Sequence, residues 1–151
     1  MNAPAPSRSE PRIEDYPFRL PDNVRYADLD PNNHVNNAVY SSYFETCRVL
    51  LTRDQTLGLT PAGLGWVLAG INIHFRAELH WPGQIELGLA VARLGRTSVT
   101  FDQVVFSQGR CIASAAATTV MVDLASRKPV PLPDQVRTGM ERWKLKGAAL
   151  G

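Results

Sequence analysis

Two different periods of apolar residues divide the chain. Between about residues 37 and 57, apolar side chains recur every three or four positions, which predicts an amphipathic helix. After "LTPAGLG" the spacing changes to every second position over 73–80 and again over 85–91, and this alternation is typical of half-buried strands. "SVTFDQVVF" and "CIASAAATTVMV" continue the β-rich pattern, with turns between the runs. The extended stretch "FRLPDNVRYAD", ahead of the helix, predicts a first strand.

These elements predict an α+β protein. One strand, one long helix and about four strands joined by short turns favour an antiparallel sheet of about five strands curled around the helix. Asn36 or Asn37 is the expected N-cap of the helix, and Gly58 is the expected C-cap. One helix cannot cover both faces of such a sheet, so we expect a homo-oligomer, either a dimer or a dimer of dimers.

The length of 151 residues fits one domain. We expect a disordered lead over 1–16, a folded domain over 17–137 and a C-terminal tail over 138–151. The lead contains no apolar segment of a secretory signal, and no apolar run reaches the ~20 residues of a membrane span. We therefore expect a cytoplasmic protein with no membrane partner. The formal net charge of +2 is too weak to favour nucleic acid as a partner.

The cysteines and most histidines suggest structural roles. Cys47 falls in the predicted helix and Cys111 in a predicted strand, and neither has a CxxC neighbour, so we expect two reduced thiols. His74 and His80 are assigned to one face of the 73–80 strand, six residues apart. That spacing does not build a compact metal site, so no metal is expected. Glu45 is expected to be an exposed helix residue.

The stretch "YADLDPNNHVNNAVY", residues 26–40, carries the candidate chemistry. Asp28 and Asp30 precede a helix start, where backbone N–H groups lack intrahelical partners and favour negative charge. The carboxylates can cap a turn, or one of them can act on a substrate held at the helix end. Asn36 and Asn37 can cap the helix or contact a ligand, and His34 can order the loop or belong to a site. The residues alone leave these alternatives open.

The stretch "VRYADLDPNNHVNNAVYSSYFETCRVLL" resembles the signature of hotdog-fold acyl-CoA thioesterases of the 4-hydroxybenzoyl-CoA thioesterase type. "INIHFRAELHWPGQIELGLAVARLGRTSVTFDQVVF" and "VMVDLASRKPVPLP" are similar to later strands and the exit loop of that family. The resemblance covers about residues 24–137. It implies the hotdog fold and hydrolysis of an acyl-CoA thioester to free acid and coenzyme A. It implies no cofactor, since coenzyme A is part of the substrate.

The resemblance also implies roles for individual residues. Asp30, the second acid of D-x-D, takes the place of the catalytic carboxylate, and the backbone amide at Asn37 takes the place of the group that polarises the carbonyl. Asp30 would either attack the carbonyl or activate water, and the sequence does not choose between these routes. His34, Asn36 and Tyr40 are the expected substrate contacts.

The turn "GRTS" is the expected binding segment for coenzyme A. Arg96, Thr97 and Ser98 offer a cation and two hydroxyls, an assignment that rests partly on the resemblance, and Arg76 and Arg93 are weaker candidates. Two other functions remain open. An enoyl-thioester hydratase would pair an aspartate with a nearby histidine, and a non-catalytic acyl-CoA-binding module would keep the fold without turnover. The H-V-N-N continuation favours the thioesterase.

Overall fold

The five predicted strands form one antiparallel sheet. The computed structural model describes residues 10–146, and in it the strands follow the order β1-β3-β4-β5-β2. All neighbouring strands run antiparallel, and long shared registers join β3 to β4 and β4 to β5. The strands are β1 (Phe18–Asn23), β2 (Leu64–Phe75), β3 (Gln84–Leu94), β4 (Ser98–Ser107) and β5 (Arg110–Asp123). The predicted hotdog architecture is confirmed.

The long helix lies against one face of this sheet. It is α1 (Val39–Thr52), and its apolar stripe is buried because residues three and four positions apart share one helix face. Phe44, Cys47 and Leu51 on that stripe are fully buried. They pack with inward-facing residues of β3 and β4, such as Leu87 and Phe101. Helix and sheet therefore enclose one apolar core.

The helix is shorter than its sequence pattern predicts. It ends at Thr52, with Arg53 as the C-cap, because the N–H groups that follow turn back onto the last carbonyls of the helix. The prediction of Gly58 as C-cap is wrong. Gly58 instead adopts a φ of 65° in the connection to β2, a conformation that glycine reaches without steric cost.

The chain is ordered before the predicted domain start. Ile13–Asp15 forms a short 3-10 turn, and Tyr16 is buried on the outer face of the sheet, where its hydroxyl donates to Asp102 at 2.9 Å. The predicted disordered lead is therefore wrong over residues 13–16, and its residues 1–9 lie outside the described range. At the other end, α2 (Asp134–Glu141) crosses the predicted boundary at 137 and buries Met140. Residues 147–151 of the predicted tail also lie outside the described range.

Two further expectations about single residues have clear outcomes. Cys47 and Cys111 are both buried and free, as predicted. The strand predicted over 73–80 is displaced: β2 begins at Leu64, nine residues earlier, and ends at Phe75. His80 therefore lies beyond the strand that contains His74, and the prediction that both share one strand face is wrong. Among residues 10–146, no helix is long and apolar enough to cross a membrane.

The direction of α1 gives the sheet two distinct ends. At the proximal end, where α1 begins, Val35 donates its N–H to the carbonyl of Leu79 and Tyr40 contacts Phe75 at a centroid distance of 5.1 Å. At the distal end, where α1 finishes, lie the start of β2 and the β3–β4 turn. Ten residues of extended β3 separate the two ends, a span of about 30 Å at 3.3 Å per residue.

Candidate active site

The proximal end carries a tight polar loop between β1 and α1. Leu29 and Val35 form an isolated antiparallel bridge, and inside it the Asp30 N–H donates to the His34 carbonyl at 3.0 Å. The Asn33 N–H donates to the Asp30 carbonyl at 3.0 Å, and Asn33 has a φ of 62°. Asparagine tolerates this left-handed conformation better than most residues, which explains how the chain reverses so sharply here. The bridge fixes Asp30 and His34 opposite each other.

The Asp30 carboxylate is held in a defined position. One oxygen, Oδ1, accepts the Asn32 N–H at 2.8 Å, and the other, Oδ2, lies 3.7 Å from His34 Nδ1. The Asp30 side chain is 17% exposed and that of His34 is 27% exposed. Oδ1 of Asp30 therefore has the turn-capping role that the sequence allowed. The second oxygen remains available beside the imidazole, at a distance too long for a hydrogen bond.

The start of α1 leaves one backbone donor unused. The Asn36 side-chain oxygen accepts the Ala38 N–H at 2.9 Å, and the Asn36 carbonyl accepts the Val39 N–H at 3.0 Å. The N-cap of α1 is Ala38, which makes no side-chain capping bond, so the prediction of Asn36 or Asn37 as N-cap is wrong, and Asn36 instead forms a turn just ahead of the helix. Within residues 10–146 the Asn37 N–H has no hydrogen-bond acceptor. The free amide falls at the position where the sequence predicts a carbonyl-polarising group.

Asp30 and this amide are close along the same bridge. The Asn36 N–H donates to the Asp28 carbonyl, as the Asp30 N–H does to that of His34. The two short segments thus pair at three successive levels: Asp30 with His34, Leu29 with Val35, and Asp28 with Asn36. Asn37 is one residue beyond Asn36, so three residues, or about 10 Å of extended chain, separate its level from that of Asp30. A carboxylate and a free helix-start amide thus lie on the same short strand pair.

Asp28 has a structural role. Its Oδ2 accepts the Arg25 N–H at 2.8 Å and the Tyr43 hydroxyl at 2.7 Å, which ties the 3-10 turn Tyr26–Asp28 to α1. Burial, together with the bond to Asp28, raises the pKa of Tyr43. Tyr43 therefore stays a neutral donor to Asp28, and this carboxylate anchors the loop that presents Asp30.

Tyr40 lies deeper than a ligand-contacting residue would in a single chain. It is 2% exposed, and its ring makes edge contacts with Tyr43 and Phe75. Burial raises the pKa of Tyr40 to about 12. Its predicted contact with substrate remains a prediction.

His80 is a neighbour of the site that the sequence did not suggest. It lies in the connection after β2, where its Nδ1 is 3.4 Å from the Asn33 carbonyl and its ring is 6.5 Å from that of His34. An adjacent groove of about 860 Å³ is lined by Leu79, His80 and Arg110, among others. Apolar and polar residues continue to alternate after residue 75, so the sequence pattern extends the predicted strand to His80. Nothing in "AELHWPG" indicates that β2 ends before it.

The residues predicted to bind coenzyme A are not beside Asp30 in the same chain. Arg96 and Thr97 lie in the β3–β4 turn and Ser98 begins β4, at the distal end and about 30 Å away. The Arg96 carbonyl accepts the Leu132 N–H, and the guanidinium of Arg137 donates to the carbonyl of Gly95 at 2.6 Å, which holds the turn in place. A site that uses both groups requires two chains.

Comparison with known proteins places this arrangement in a family. A family model described as the thioesterase-like superfamily matches residues 24–139. The chain belongs to the thioesterase-like superfamily. The match covers the chain from just after β1 into α2, and so includes the Asp30 loop, α1 and the β3–β4 turn. The 4-hydroxybenzoyl-CoA subtype expected from the motif remains a prediction.

Individual relatives of this thioesterase-like chain agree with the assignment. It is 28% identical over 123 residues to the long-chain acyl-CoA thioesterase FadM of Escherichia coli, covering 79% of this chain and 93% of that protein. Among solved structures, it is similar to the PA5185 protein of Pseudomonas aeruginosa, with a TM-score of 0.82, 27% identity and coverage of 92% and 99%. It is also similar to a Thermus thermophilus thioesterase complexed with coenzyme A and zinc, with a TM-score of 0.73, 28% identity and coverage of 83% and 98%.

Proposed function

We propose that this protein hydrolyses an acyl-CoA thioester to a free acid and coenzyme A. The observation that carries the proposal is the loop geometry: the Asp30 carboxylate and the free N–H of Asn37 lie on one short strand pair, separated by three residues or about 10 Å along it. Membership of the thioesterase-like superfamily and the coenzyme A complex of the Thermus relative support the substrate class.

Each group has a defined part in the reaction. The Asn37 N–H donates to the thioester oxygen and stabilises the oxyanion as it forms, and loss of such a donor costs about a hundred- to a thousandfold in rate. Asp30 either attacks the carbonyl carbon, giving a mixed anhydride that water then hydrolyses, or removes a proton from the attacking water. Both routes release the coenzyme A thiol. His34 and Asn36 flank the position of the acyl group.

The edges of the sheet indicate how a homo-oligomer forms. The outer edge of β1 is short and contains Pro21, which blunts pairing, whereas β2 is a 12-residue edge strand without proline or acidic residues. Val67, Leu68 and Phe75 on β2 are between 43% and 49% exposed. Antiparallel pairing of two β2 strands would cover this surface and continue the sheet, giving a dimer, which could pair again as a dimer of dimers.

That pairing also completes the site. A two-fold axis through β2 sets the distal end of one copy beside the proximal end of the other. Asp30 of one copy would then share a substrate with Arg96, Thr97 and Ser98 of the second copy, which would bind the phosphates of coenzyme A. The separation of these groups within one chain supports this arrangement.

A second candidate function is suggested by the Asp30–His34 approach of 3.7 Å. Hydration of an enoyl thioester would use such an aspartate–histidine pair, while a non-catalytic acyl-CoA-binding module would use neither residue chemically. Purified protein is incubated with a panel of saturated and enoyl-CoA substrates, with a thiol reagent and enoyl absorbance followed together. Thiol release from saturated acyl-CoA is expected. Loss of enoyl absorbance without thiol release would indicate the hydratase, and neither signal would indicate the binding module.

A further inference from the structure

Arg48 is a buried cation that forms no ion pair with the acids of residues 10–146. It is 6% exposed, and its Nη1 donates to the side-chain oxygen of Gln103 at 3.0 Å. Within residues 10–146 no carboxylate oxygen lies within 4.0 Å of its guanidinium. A guanidinium has five N–H donors and keeps its charge, and the Arg48 nitrogens that Gln103 does not bind are not sealed from solvent, so they can meet a further acceptor.

The guanidinium borders a small cavity between α1 and the sheet. The cavity has a volume of about 110 Å³, and its lining includes Glu45, Arg48, Val49 and Leu68. Glu45 is exposed and forms no ion pair with any described residue. Burial lowers the pKa of Arg48, and the charge of Glu45 opposes that effect. One cavity thus carries a cation and an acid, neither of which forms an ion pair with a described residue.

The surface around the cavity is apolar and uncovered. Val49 and Leu68 in its lining are 41% and 43% exposed, and Leu50, next to Val49 on the helix, is 52% exposed. These residues lie on α1 and on the edge strand β2. A monomer gains nothing by exposing such side chains together, and a second chain would bury them.

Symmetry identifies which groups meet if that chain is a second copy. Two contacts align α1 with β2. Tyr40 contacts Phe75 at the end of β2, and Val49 lines the same cavity as Leu68 in its first half. The centre of β2 therefore lies beside the part of α1 between Tyr40 and Val49. A two-fold axis through the centre of β2 passes nearest to this segment of α1. In an isologous contact, residue i of one copy meets residue j of the other, and the reverse contact repeats it.

We propose that, in a dimer joined by the β2 pairing described above, Glu45 of each copy forms an ion pair with Arg48 of the other across the adjoining faces of α1. The cavity is then filled by the carboxylate of the second copy, and each dimer contains two such pairs. This inference rests on the β2 pairing proposed above, and its test measures association rather than activity.

The first experiment reverses the charge of the exposed partner. Glu45→Arg places two like charges at each contact, and we expect the dimer dissociation constant, measured by sedimentation over a range of concentrations, to rise at least about tenfold. Glu86→Arg is the matched control, because Glu86 is exposed on β3, which two strands separate from β2. Its dissociation constant should match that of the wild type. Equal dissociation constants for Glu45→Arg and wild type would overturn the pairing.

The second experiment restores the pair in a mixed dimer. Arg48→Glu should also weaken self-association, while an equimolar mixture of Glu45→Arg and Arg48→Glu should form heterodimers, because both contacts then join opposite charges. A mixture that remains two separate monomers would overturn the inference. If Arg48→Glu fails to fold by circular dichroism, a double-mutant cycle of Glu45→Gln and Arg48→Met on the dissociation constant replaces it, and additive effects would overturn the pairing.

Other outcomes separate the alternatives. If Arg48→Met leaves association unchanged and alters the preference among acyl-CoA chains, the cavity receives the acyl group and the inference fails. A wild-type protein that is monomeric at all concentrations would remove the β2 pairing as well. A dimer that is insensitive to both charge reversals would remove only the ion pair and leave the proposed β2 pairing intact.

Discussion

Replacing Gln103 tests how α1 is fixed to the sheet. Gln103 on β4 is fully buried, its Nε2 donates to the Phe44 carbonyl at 2.9 Å, and its Oε1 accepts from Arg48 at 3.0 Å. Gln103→Met keeps the side-chain volume similar, so the change removes bonds without opening a large cavity. The bond from a charged donor is worth about 1.5–3 kcal/mol and the neutral bond about 1 kcal/mol. We expect the free energy of unfolding to fall by about 3 kcal/mol.

The measurement is urea unfolding followed by circular dichroism at one protomer concentration, because the stability of an oligomer depends on concentration. With a slope of about 2 kcal/mol per molar urea, the midpoint should fall by about 1.5 M. Gln84→Met, at an exposed position on β3, is the matched control and should change the midpoint little. Equal midpoints for the two variants would refute the reasoning that these two bonds stabilise the helix–sheet contact.

Two further predictions concern buried titrating groups. Burial raises the pKa of Tyr40 to about 12 and also raises those of Tyr16 and Tyr43 above the ordinary 10.0. Their neutral forms favour the folded state, so this part of the stability is complete below pH 10 and is lost as the pH rises towards 12. Unfolding free energies measured against pH should fall across that window, and a flat profile would contradict the burial. Burial also raises the pKa of the Cys47 thiol to about 12 and that of Cys111. A chromogenic disulfide reagent at neutral pH should therefore react with neither thiol until urea unfolds the protein, and rapid reaction in the native state would contradict this.

The sequence predicted the architecture because its periods are strong and separate. A helical stripe through Phe44 and Leu51, followed by runs of alternating residues, leaves few ways to bury the apolar positions. Boundaries were less certain. The glycine at 58 looked like a helix stop, but the helix ends at Thr52, where the chain turns back on the final carbonyls.

The start of β2 was missed for a different reason. "LTPAGLG" contains turn-forming residues, yet Leu64 already pairs with Asp123. Before residue 73 the sequence of β2 is almost continuously apolar, without the alternation of Ile85, Leu87 and Leu89 on β3. The same uncertainty at the other end of the strand hid His80, which the tertiary structure brings to the Asp30 loop.

The candidate site was predictable only in its local part. Asp30, His34, Asn36 and Asn37 are close in sequence, and a single tight loop brings them together. The placement of Arg96 depends on strand order and length, which no local pattern shows. The buried position of Arg48 could not be predicted for a similar reason. Helical spacing places residue 48 on the buried side of α1, but it does not show that Gln103 of β4 lies opposite.

The most direct test of the central claim replaces the carboxylate of Asp30 and keeps its turn. Asp54 provides a matched control, since its Oδ1 also accepts the N–H two residues ahead, from Thr56 at 2.9 Å, in an exposed turn after α1. Asp30→Asn and Asp54→Asn are compared by thioester turnover and by melting temperature. We expect Asp30→Asn to lower turnover at least about a hundredfold with a melting temperature close to that of the wild type, while Asp54→Asn retains full turnover. An Asp30→Asn protein that melts much earlier but keeps its specific activity would show that this carboxylate only caps its loop.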